Sequence, residues 1–172
     1  MRRAHLSCRK VGWTSGEVRA TVATKLCRRE GAMMTSETHD VGGREISDPG
    51  CQNMVGYETK IDASGICTVT LEVEARHLNR HGILHGGMVA TVMDVACGNT
   101  AAQYFDPDGR AALVTVALNL SYIASTKIGQ VVGTARATGG GKSTAHVLGE
   151  LHDADGRLLA TATAIFRRIN PR

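Results

Sequence analysis

Hydrophobic and polar residues alternate along much of the chain, and the pattern becomes readable from about residue 65. In ICTVTLEVEA, at residues 66 to 75, Val69, Leu71 and Val73 alternate with threonine and glutamate. A period of two indicates a strand with one buried face and one solvated face. We therefore predict a strand here, packed on a core by its apolar side.

A long run of apolar and small residues follows the polar loop RHLNRHG. From Gly86 to Phe105, Asp94 is the only charged side chain. The length and the Ala and Met content favour a helix over a strand. Asp94, Asn99, Gln103 and three glycines make the run too polar to span a membrane. We predict a helix that is buried on nearly all sides.

The period of two returns after the turn DPDGR. Five large side chains of ALVTVALNLSYIA are predicted to share one face: Val114, Val116, Leu118, Leu120 and Tyr122. Further strands are predicted in GQVVGTARAT and STAHVLGELH, joined by a turn at 139–142, and in LLATATAIF after the Asp155-Gly156 turn. This order predicts an α+β fold in which a curved antiparallel sheet wraps around one long central helix.

Composition and charge narrow the function classes. The chain has 172 residues, 42% of them hydrophobic, which suits one domain, and only 3% aromatic. A sheet that stacks nucleic-acid bases on aromatic rings is therefore unexpected. The net charge of +4 belongs to the N-terminal arm, because residues 1–32 hold eight Lys or Arg and two Glu. We expect no nucleic-acid partner.

The basic arm is predicted to lie outside the domain, with residues 1–50 as an extension and 51–172 as the folded unit. Its Arg-rich, acid-poor composition resembles a transit peptide. Disorder is the default for such a composition. An early start codon is a third explanation, since Met33 and Met34 would serve as starts.

The cysteines and histidines do not form a persuasive metal or disulfide pattern. Five cysteines, an odd number without a CxxC pair, argue against a disulfide scaffold and for a reducing, cytoplasmic compartment. His77, His81 and His85 have helical spacing that could hold zinc, but Asn79 and the nearby glycines favour a loop. We expect no metal and no cofactor.

The turn GGGKS, at residues 139–143, resembles a phosphate-binding loop only superficially. That motif needs a glycine five residues before Gly141, where this chain has Arg136, and a helix rather than a strand after it. A plain hairpin turn and a turn that contacts the phosphates of a bound cofactor both remain open.

Asp94 and the start of its helix suggest chemistry. A carboxylate in an apolar helix is costly unless it is paired or faces a wet cleft. The same helix begins at His85-Gly86-Gly87, where unpaired N–H groups and a partial positive charge attract anions. An oxyanion site and a general base are the two parts that an acyl-transfer hydrolase needs.

The stretch NRHGILHGGMVATVMDVACG resembles the hotdog-fold acyl-CoA thioesterases of the phenylacetic-acid-degradation (PaaI-like) type, within the 4-hydroxybenzoyl-CoA thioesterase superfamily. In that family an Asn stands six residues before the His of HGG and an Asp nine after it, and Asn79, His85 and Asp94 meet both spacings. The resemblance runs from about Met54 to Phe166. It implies hydrolysis of an acyl-CoA, with phenylacetyl, hydroxybenzoyl and medium-chain fatty acyl groups all open.

The resemblance also implies a role for each matching residue. The Gly86 N–H and the Asn79 amide would polarise the thioester carbonyl, and Asp94 would activate water or attack directly. Thr115 would orient the water, and His85 would shape the loop. Gly141, Lys142 and Ser143 fall where relatives contact coenzyme A. A non-catalytic acyl-CoA-binding protein on the same fold is the alternative, although it would have no need of Asp94.

The spacing of Gly86 and Asp94 bears on assembly. Eight residues of helix span about 12 Å, too far for one short carboxylate to bridge. Two such helices packed antiparallel across a two-fold axis would bring Asp94 of each near Gly86 of the other. The resemblance implies the same arrangement, a homodimer or a tetramer of paired dimers.

Removal of residues 1–32 is predicted to leave folding and kcat unchanged, because this arm lacks apolar periodicity and precedes every candidate site residue. Thermal unfolding and steady-state kinetics of the truncated chain would check this. Precipitation or a lower kcat would show that the arm packs on the domain.

Overall fold

A computed structural model of the chain describes residues 44–62 and 65–169. Along these residues lie seven strands, two α-helices and one short 3₁₀ turn at Ala75–His77. The elements in order are β1 (Arg44–Glu45), α1 (Pro49–Val55), β2 (Tyr57–Ile61), β3 (Cys67–Val73), α2 (Gly86–Phe105), β4 (Leu113–Tyr122), β5 (Gly129–Gly140), β6 (Thr144–Asp153) and β7 (Leu158–Arg168).

The strands form one antiparallel sheet in the order β1-β2-β3-β5-β6-β7-β4. Helix α2 packs on five of them, β3 to β7, and the sheet curves around it. This is the hotdog architecture, and it confirms the predicted fold class. Strand β4 follows the helix in sequence but lies at the far edge of the sheet, beside the last strand.

Helix α2 begins and ends at the predicted residues, and its position is set by small residues beneath it. A Cβ added to Gly133 would lie 2.9 Å from Val92 Cγ1, and one added to Gly149 would lie 2.6 Å from Met93 Cε. The helix therefore lies almost directly on the backbone of β5 and β6. Val92 and Met93 have no exposed surface, as expected at the centre of a core.

The segment before β3 was not predicted, although its pattern is readable. Tyr57, Thr59 and Ile61 are buried and alternate with exposed Glu58 and Lys60. Strand β2 pairs with β3, and β1 pairs with β2 from Arg44. The sheet thus begins ahead of residue 51, where the folded unit was predicted to start. Of the extension predicted over residues 1–50, residues 1–43 lie outside the described residues.

Buried His77 ties this segment to the loop before α2. Its Nδ1 accepts a hydrogen bond from Glu74 N at 2.9 Å, and its Nε2 lies 2.8 Å from Val55 O, at the end of α1. The ring is therefore the tautomer with its proton on Nε2. Both ring nitrogens are used in holding the fold, which removes His77 from the three-histidine zinc hypothesis.

One detail of β4 differs from the predicted alternation. Strand β7 pairs Phe166 with Thr115 but Ile165 with Ala117, so Val116 is an extra, bulged residue. Beyond the bulge, Leu118, Leu120 and Tyr122 share a face as predicted. Before it, Thr115 lies on that face, and Val114 lies on the opposite one. The prediction that Val114 shares the face of Leu118 is wrong, because alternation was counted through a bulge that the sequence does not mark.

No helix in residues 44–62 and 65–169 is long and apolar enough to cross a membrane.

Three cysteines within these residues, Cys51, Cys67 and Cys97, are free thiols. Burial raises the pKa of both Cys67 and Cys97 to about 12. Their thiols are therefore neutral core side chains and not nucleophiles.

Substitution Gly133→Ala is predicted to lower the free energy of unfolding by about 1 to 3 kcal/mol, because the added methyl would overpack the helix–sheet contact at Val92. Val92 is β-branched and cannot swing away within the helix. Urea unfolding would measure the change. The matched control is Gly50→Ala, where nothing lies within 4 Å of the added Cβ; equal stability of the two variants would contradict the close packing.

Candidate active site

Asp94 lies midway along α2 and is held by a hydroxyl from β4. Thr115 Oγ1 donates a hydrogen bond to Asp94 Oδ1 at 3.0 Å. The bulge at Val116 puts Thr115 on the helix side of the sheet, which is what lets its side chain reach the carboxylate. Asp94 is half-buried and keeps its other oxygen, Oδ2, free of hydrogen bonds from the described residues.

The N-terminus of α2 presents one uncommitted donor. The four leading N–H groups of a helix have no partner within it. Here Gly87 N donates to His85 Nδ1 at 2.9 Å, and the N–H groups of Met88 and Val89 donate to His85 O. No group in the described part of the chain accepts a hydrogen bond from Gly86 N–H. It is therefore the donor available to a ligand.

His85 caps the helix rather than facing a reacting group through Nδ1. Because Nδ1 accepts from Gly87 N, the neutral ring carries its proton on Nε2. Its backbone N–H donates to His77 O at 2.9 Å. His85 thus contributes its ring and its backbone to the turn into the helix.

Asn79 lies in the same loop with its amide orientation fixed. Its Oδ1 accepts a hydrogen bond from His81 N at 2.8 Å. Since a backbone N–H is always a donor, the bonded atom must be the amide oxygen. The Asn79 Nδ2 group is left free to donate, which is what polarising a carbonyl requires. The bridge between Leu78 and Leu84 draws this loop back toward the start of α2.

Tyr122 covers the helix start, a contact that sequence reasoning missed. Its hydroxyl donates to Gly86 O at 3.1 Å, and its ring lies 3.5 Å from where a Cβ on Gly86 would be. A Cβ at position 86 would therefore be in ordinary van der Waals contact with this ring. Strand alternation places Tyr122 on the helix side, but only the folded chain shows which part of the helix it meets.

The candidate residues therefore form two groups within one chain. Asn79, His85 and Gly86 surround the helix N-terminus, while Asp94 and Thr115 lie eight residues along the helix axis, about 12 Å away. An Asp side chain is too short to cross that distance. The structure joins Asp94 to Thr115 by a hydrogen bond and places Asn79 in the loop that leads into the helix at His85, but it does not bring the two groups together.

The turn at Gly141, Lys142 and Ser143 joins β5 to β6, as predicted. Gly141 N donates to Thr144 O at 2.8 Å, and Lys142 is exposed. Ala145, Phe166 and Thr115 lie in one row across β6, β7 and β4. The turn therefore extends from the same end of the sheet that carries Thr115.

The three-histidine zinc hypothesis fails on geometry. His77 is committed to the fold, His85 accepts at Nδ1, and exposed His81 accepts from Arg80 Nε at 3.2 Å. Within the described ranges, no three His, Cys, Asp or Glu side chains are grouped so that they could hold a metal ion.

A pocket of about 290 Å³ opens beside Asp94. Asp94 and Thr115 lie in its wall, and it continues along α2 past Asn99 to Ala102. Its opposite wall comes from the segment before β3, through Tyr57 and Thr59 among others. This wall was not predicted from the sequence, because no helix or strand was identified before residue 65. The alternation of hydrophobic and polar residues in YETKI does indicate a strand there.

Comparisons with known proteins identify relatives of this chain. The family model described as "Thioesterase superfamily" matches residues 81–160. Acyl-coenzyme A thioesterase 13 of Mus musculus is 32% identical over 132 residues, which cover 74% of this chain and 91% of that protein. The 1,4-dihydroxy-2-naphthoyl-CoA hydrolase of Listeria monocytogenes is 33% identical over 95 residues, or 55% of this chain and 76% of that protein.

Solved structures give the same result. A phenylacetic acid degradation-related protein from Ralstonia eutropha JMP134 aligns with a TM-score of 0.62 and 27% identity, covering 71% of this chain and 92% of that one. Zebra fish thioesterase superfamily member 2 aligns with a TM-score of 0.61 and 29% identity, covering 72% and 89%. The chain belongs to the thioesterase superfamily, as a hotdog-fold thioester hydrolase of the PaaI-like type.

Proposed function

We propose that the protein hydrolyses acyl-CoA thioesters to the free acid and coenzyme A. The observation that carries this proposal is that one helix bears both groups the reaction needs. The Gly86 N–H at its start has no acceptor among the described residues, and the Asp94 carboxylate accepts a hydrogen bond from Thr115. Relatives whose names specify acyl-CoA substrates support the choice of thioester.

The oxyanion site is assigned to Gly86 N–H and Asn79 Nδ2. When water attacks a thioester, negative charge develops on the carbonyl oxygen, and fixed donors aimed at that oxygen lower the barrier. Loss of one such donor costs about 10² to 10³ in kcat where it has been measured in other enzymes. The N-terminal end of α2 adds a favourable partial positive charge.

Asp94 is assigned the role of general base. Thr115 donates its proton to Asp94 Oδ1, so its own oxygen lone pairs can accept from a water beside Oδ2. Oδ2 takes one proton from this water, whose oxygen bonds to the carbonyl carbon. Collapse of the tetrahedral intermediate breaks the C–S bond, and the proton passes to the thiolate of coenzyme A. Direct attack by Asp94 would use the same carboxylate.

A complete site needs two chains, and we assign it to a dimer. A two-fold axis midway between Gly86 and Asp94 would pass near Ala90, with two α2 helices antiparallel across it. Gly87, Ala90 and Thr91, on the adjoining turns, are small enough for close approach. Each site would then combine Asn79 and Gly86 of one chain with Asp94 and Thr115 of the partner subunit.

The edge strand β4 supports this assembly. It is 10 residues long and pairs only with β7 in the described chain. Four large hydrophobic residues on or just after it are exposed: Val114 by 44%, Val116 by 59%, Tyr122 by 58% and Ile123 by 55%. A long apolar edge is normally blocked or paired, and a second copy of β4 would cover it. Pairing of dimers into tetramers is the further assembly that the family resemblance implies.

Two further assignments concern coenzyme A binding and location. We assign Gly141, Lys142 and Ser143 to coenzyme A, because an exposed lysine on a glycine turn can meet phosphate and the turn lies at the end of the sheet that carries Thr115. A cytoplasmic location is supported by the free thiols of Cys51, Cys67 and Cys97.

Substitution Asp94→Asn is predicted to lower kcat at least about a hundredfold with the fold intact, because it keeps the shape of the side chain and removes the base. Release of free thiol from a panel of acyl-CoA thioesters would measure it, with circular dichroism to check folding. The matched control is Asp108→Asn, an exposed loop change. Full turnover by Asp94→Asn would mean that this residue has a purely structural role. If the wild-type chain binds acyl-CoA but does not hydrolyse it, the protein is a binding protein and not an enzyme.

Co-refolding of Asn79→Ala with Asp94→Ala is predicted to restore activity that neither variant has alone. Each mixed dimer would hold one site with both residues and one with neither. Random pairing makes about half of the dimers mixed, so about a quarter of wild-type activity should return. Differently tagged chains would show that mixed dimers form; mixed dimers without activity would mean that both residues act within one chain.

A further inference from the structure

Tyr122, the last residue of β4, connects the sheet to the residue that carries the free helix N–H. Its hydroxyl donates a hydrogen bond to Gly86 O at 3.1 Å. The hydroxyl and the nearest ring carbon also lie 3.5 Å from where a Cβ on Gly86 would be. Among the described residues, Tyr122 is the only one outside α2 and the loop before it that bonds to Gly86.

Gly86 needs such a contact because glycine restricts its own backbone angles least of all residues. Two peptide units meet at its Cα, and the first of them carries the free N–H. That first unit is held through His85 O, which accepts from Met88 N–H at 2.9 Å. The second unit begins at Gly86 O, the atom to which Tyr122 donates. With both units held, the φ and ψ angles of Gly86 and the direction of its N–H are set.

The second peptide unit is bonded at both of its polar atoms, but the two bonds differ in origin. Gly87 N–H donates to His85 Nδ1 at 2.9 Å. The His85 ring belongs to the same turn, so this bond fixes the shape of the turn and not its position on the sheet. Tyr122 belongs to a strand, and its bond to Gly86 O is the one that positions the turn relative to the sheet.

The main chain of Tyr122 is itself held firmly at the end of β4. Tyr122 pairs with Ala160 of β7. The next two N–H groups, of Ile123 and Ala124, both donate to Leu159 O, at 2.9 and 3.1 Å. Leu159 and Ala160 are buried in the core. The hydroxyl therefore extends from a fixed point of the sheet.

Strand β4 supplies one hydroxyl to each half of the candidate site. Thr115 donates to Asp94, and Tyr122 donates to Gly86. Both side chains lie on the helix side of the strand. Thr115 precedes Tyr122 in the chain, whereas Asp94 follows Gly86, so β4 runs antiparallel to α2. The strand that holds the carboxylate thus also holds the residue with the free N–H.

We propose that Tyr122 is a positioning residue of the oxyanion site, and that its hydroxyl fixes the direction of the Gly86 N–H through the Gly86 carbonyl group. A donor that is fixed in advance stabilises the developing negative charge without reorganising during the reaction. Tyr122 forms no bond to the substrate in this role. The inference rests on the proposed function for the identity of the bound group, a thioester carbonyl.

Substitution Tyr122→Phe tests this role, because it keeps the ring on Gly86 and removes only the hydrogen bond. The kcat for acyl-CoA hydrolysis should fall about tenfold, less than the 10² to 10³ found for complete loss of an oxyanion donor. KM should stay within about twofold, since ground-state binding is retained. The pH dependence of kcat should be unchanged, because Asp94 keeps its bond from Thr115.

The matched control is Tyr104→Phe. Tyr104 is also exposed, but it lies near the other end of α2, and its hydroxyl has no hydrogen-bond partner in the described part of the chain. This variant should keep the wild-type kcat. Circular dichroism of both variants would show that the fold is intact.

A double-mutant cycle with Gly86→Ala tests whether Tyr122 acts through Gly86. The φ angle of Gly86 is negative, and an added Cβ would be in ordinary van der Waals contact with the Tyr122 ring, so alanine fits. Alanine restricts φ and ψ by itself and supplies part of the restraint that the hydroxyl gives. Tyr122→Phe should therefore lower kcat only about threefold or less in the Gly86→Ala background. A tenfold fall in both backgrounds would contradict action through Gly86.

Two analogues that cannot be hydrolysed report on the N–H without turnover. One is the ketone in which a CH₂ group replaces the thioester sulfur of hexanoyl-CoA. The other has a further CH₂ group in place of the carbonyl. By calorimetry the wild type should bind the ketone about fivefold more tightly, or more, the usual effect of one net hydrogen bond. Tyr122→Phe should bring this ratio close to one, and Tyr104→Phe should not change it.

These measurements separate the positioning role from the proposed function. If the wild type hydrolyses no thioester, the proposed function is overturned, and the binding ratio still decides the role of Tyr122. An unchanged kcat in Tyr122→Phe, or a change in KM alone, would overturn the positioning role and leave hydrolysis intact. A lower kcat with an unchanged binding ratio would overturn it as well, because the hydroxyl would then act on something other than the Gly86 N–H. Equal binding of both analogues by the wild type would also overturn it.

Discussion

The packing of α2 on the backbone of β5 and β6 is the contact on which the other features depend. Gly133 and Gly149 remove the side chains that would hold the helix away from the sheet, so Val92, Met93 and Cys97 pack directly on main-chain atoms. This contact fixes the height and rotation of the helix. Because interiors are close-packed, it also fixes where the two ends of the helix and its one carboxylate lie relative to every strand.

The position of the helix places a hydrogen-bond donor and a carboxylate at two separate points along it. The N-terminus supplies a free N–H at Gly86 because His85 satisfies the neighbouring donors and leaves this one. Asp94, two turns further on, is too far away to share a carbonyl with it. Because the helix is rigid, a single chain cannot bring Gly86 and Asp94 to the same carbonyl group. The proposed activity therefore depends on a second chain, which would cover the exposed β4 edge and the exposed face of the helix.

The bulge at Val116 has a local role of the same kind. Without the extra residue, Thr115 would lie on the outer face of the sheet with Val114 on the inner one. With it, a hydroxyl replaces a methyl group beside Asp94 and gives the carboxylate a hydrogen-bond donor. On the other side of the pocket, β2 contributes buried Thr59 to the wall.

The sequence by itself determined the helix at Gly86–Phe105, the strands from β3 onward and the separation of HGG and Asp94 along that helix, since hydrophobic periodicity and residue spacing are local properties. Strand β2 was also readable, because YETKI alternates, but it was overlooked. The bulge in β4, the contact of Tyr122 with Gly86 and the wall formed by Thr59 were decided only by the tertiary structure. Each of these depends on which distant segments meet, and that is set by packing of the whole sheet around the helix rather than by the pattern of any one segment.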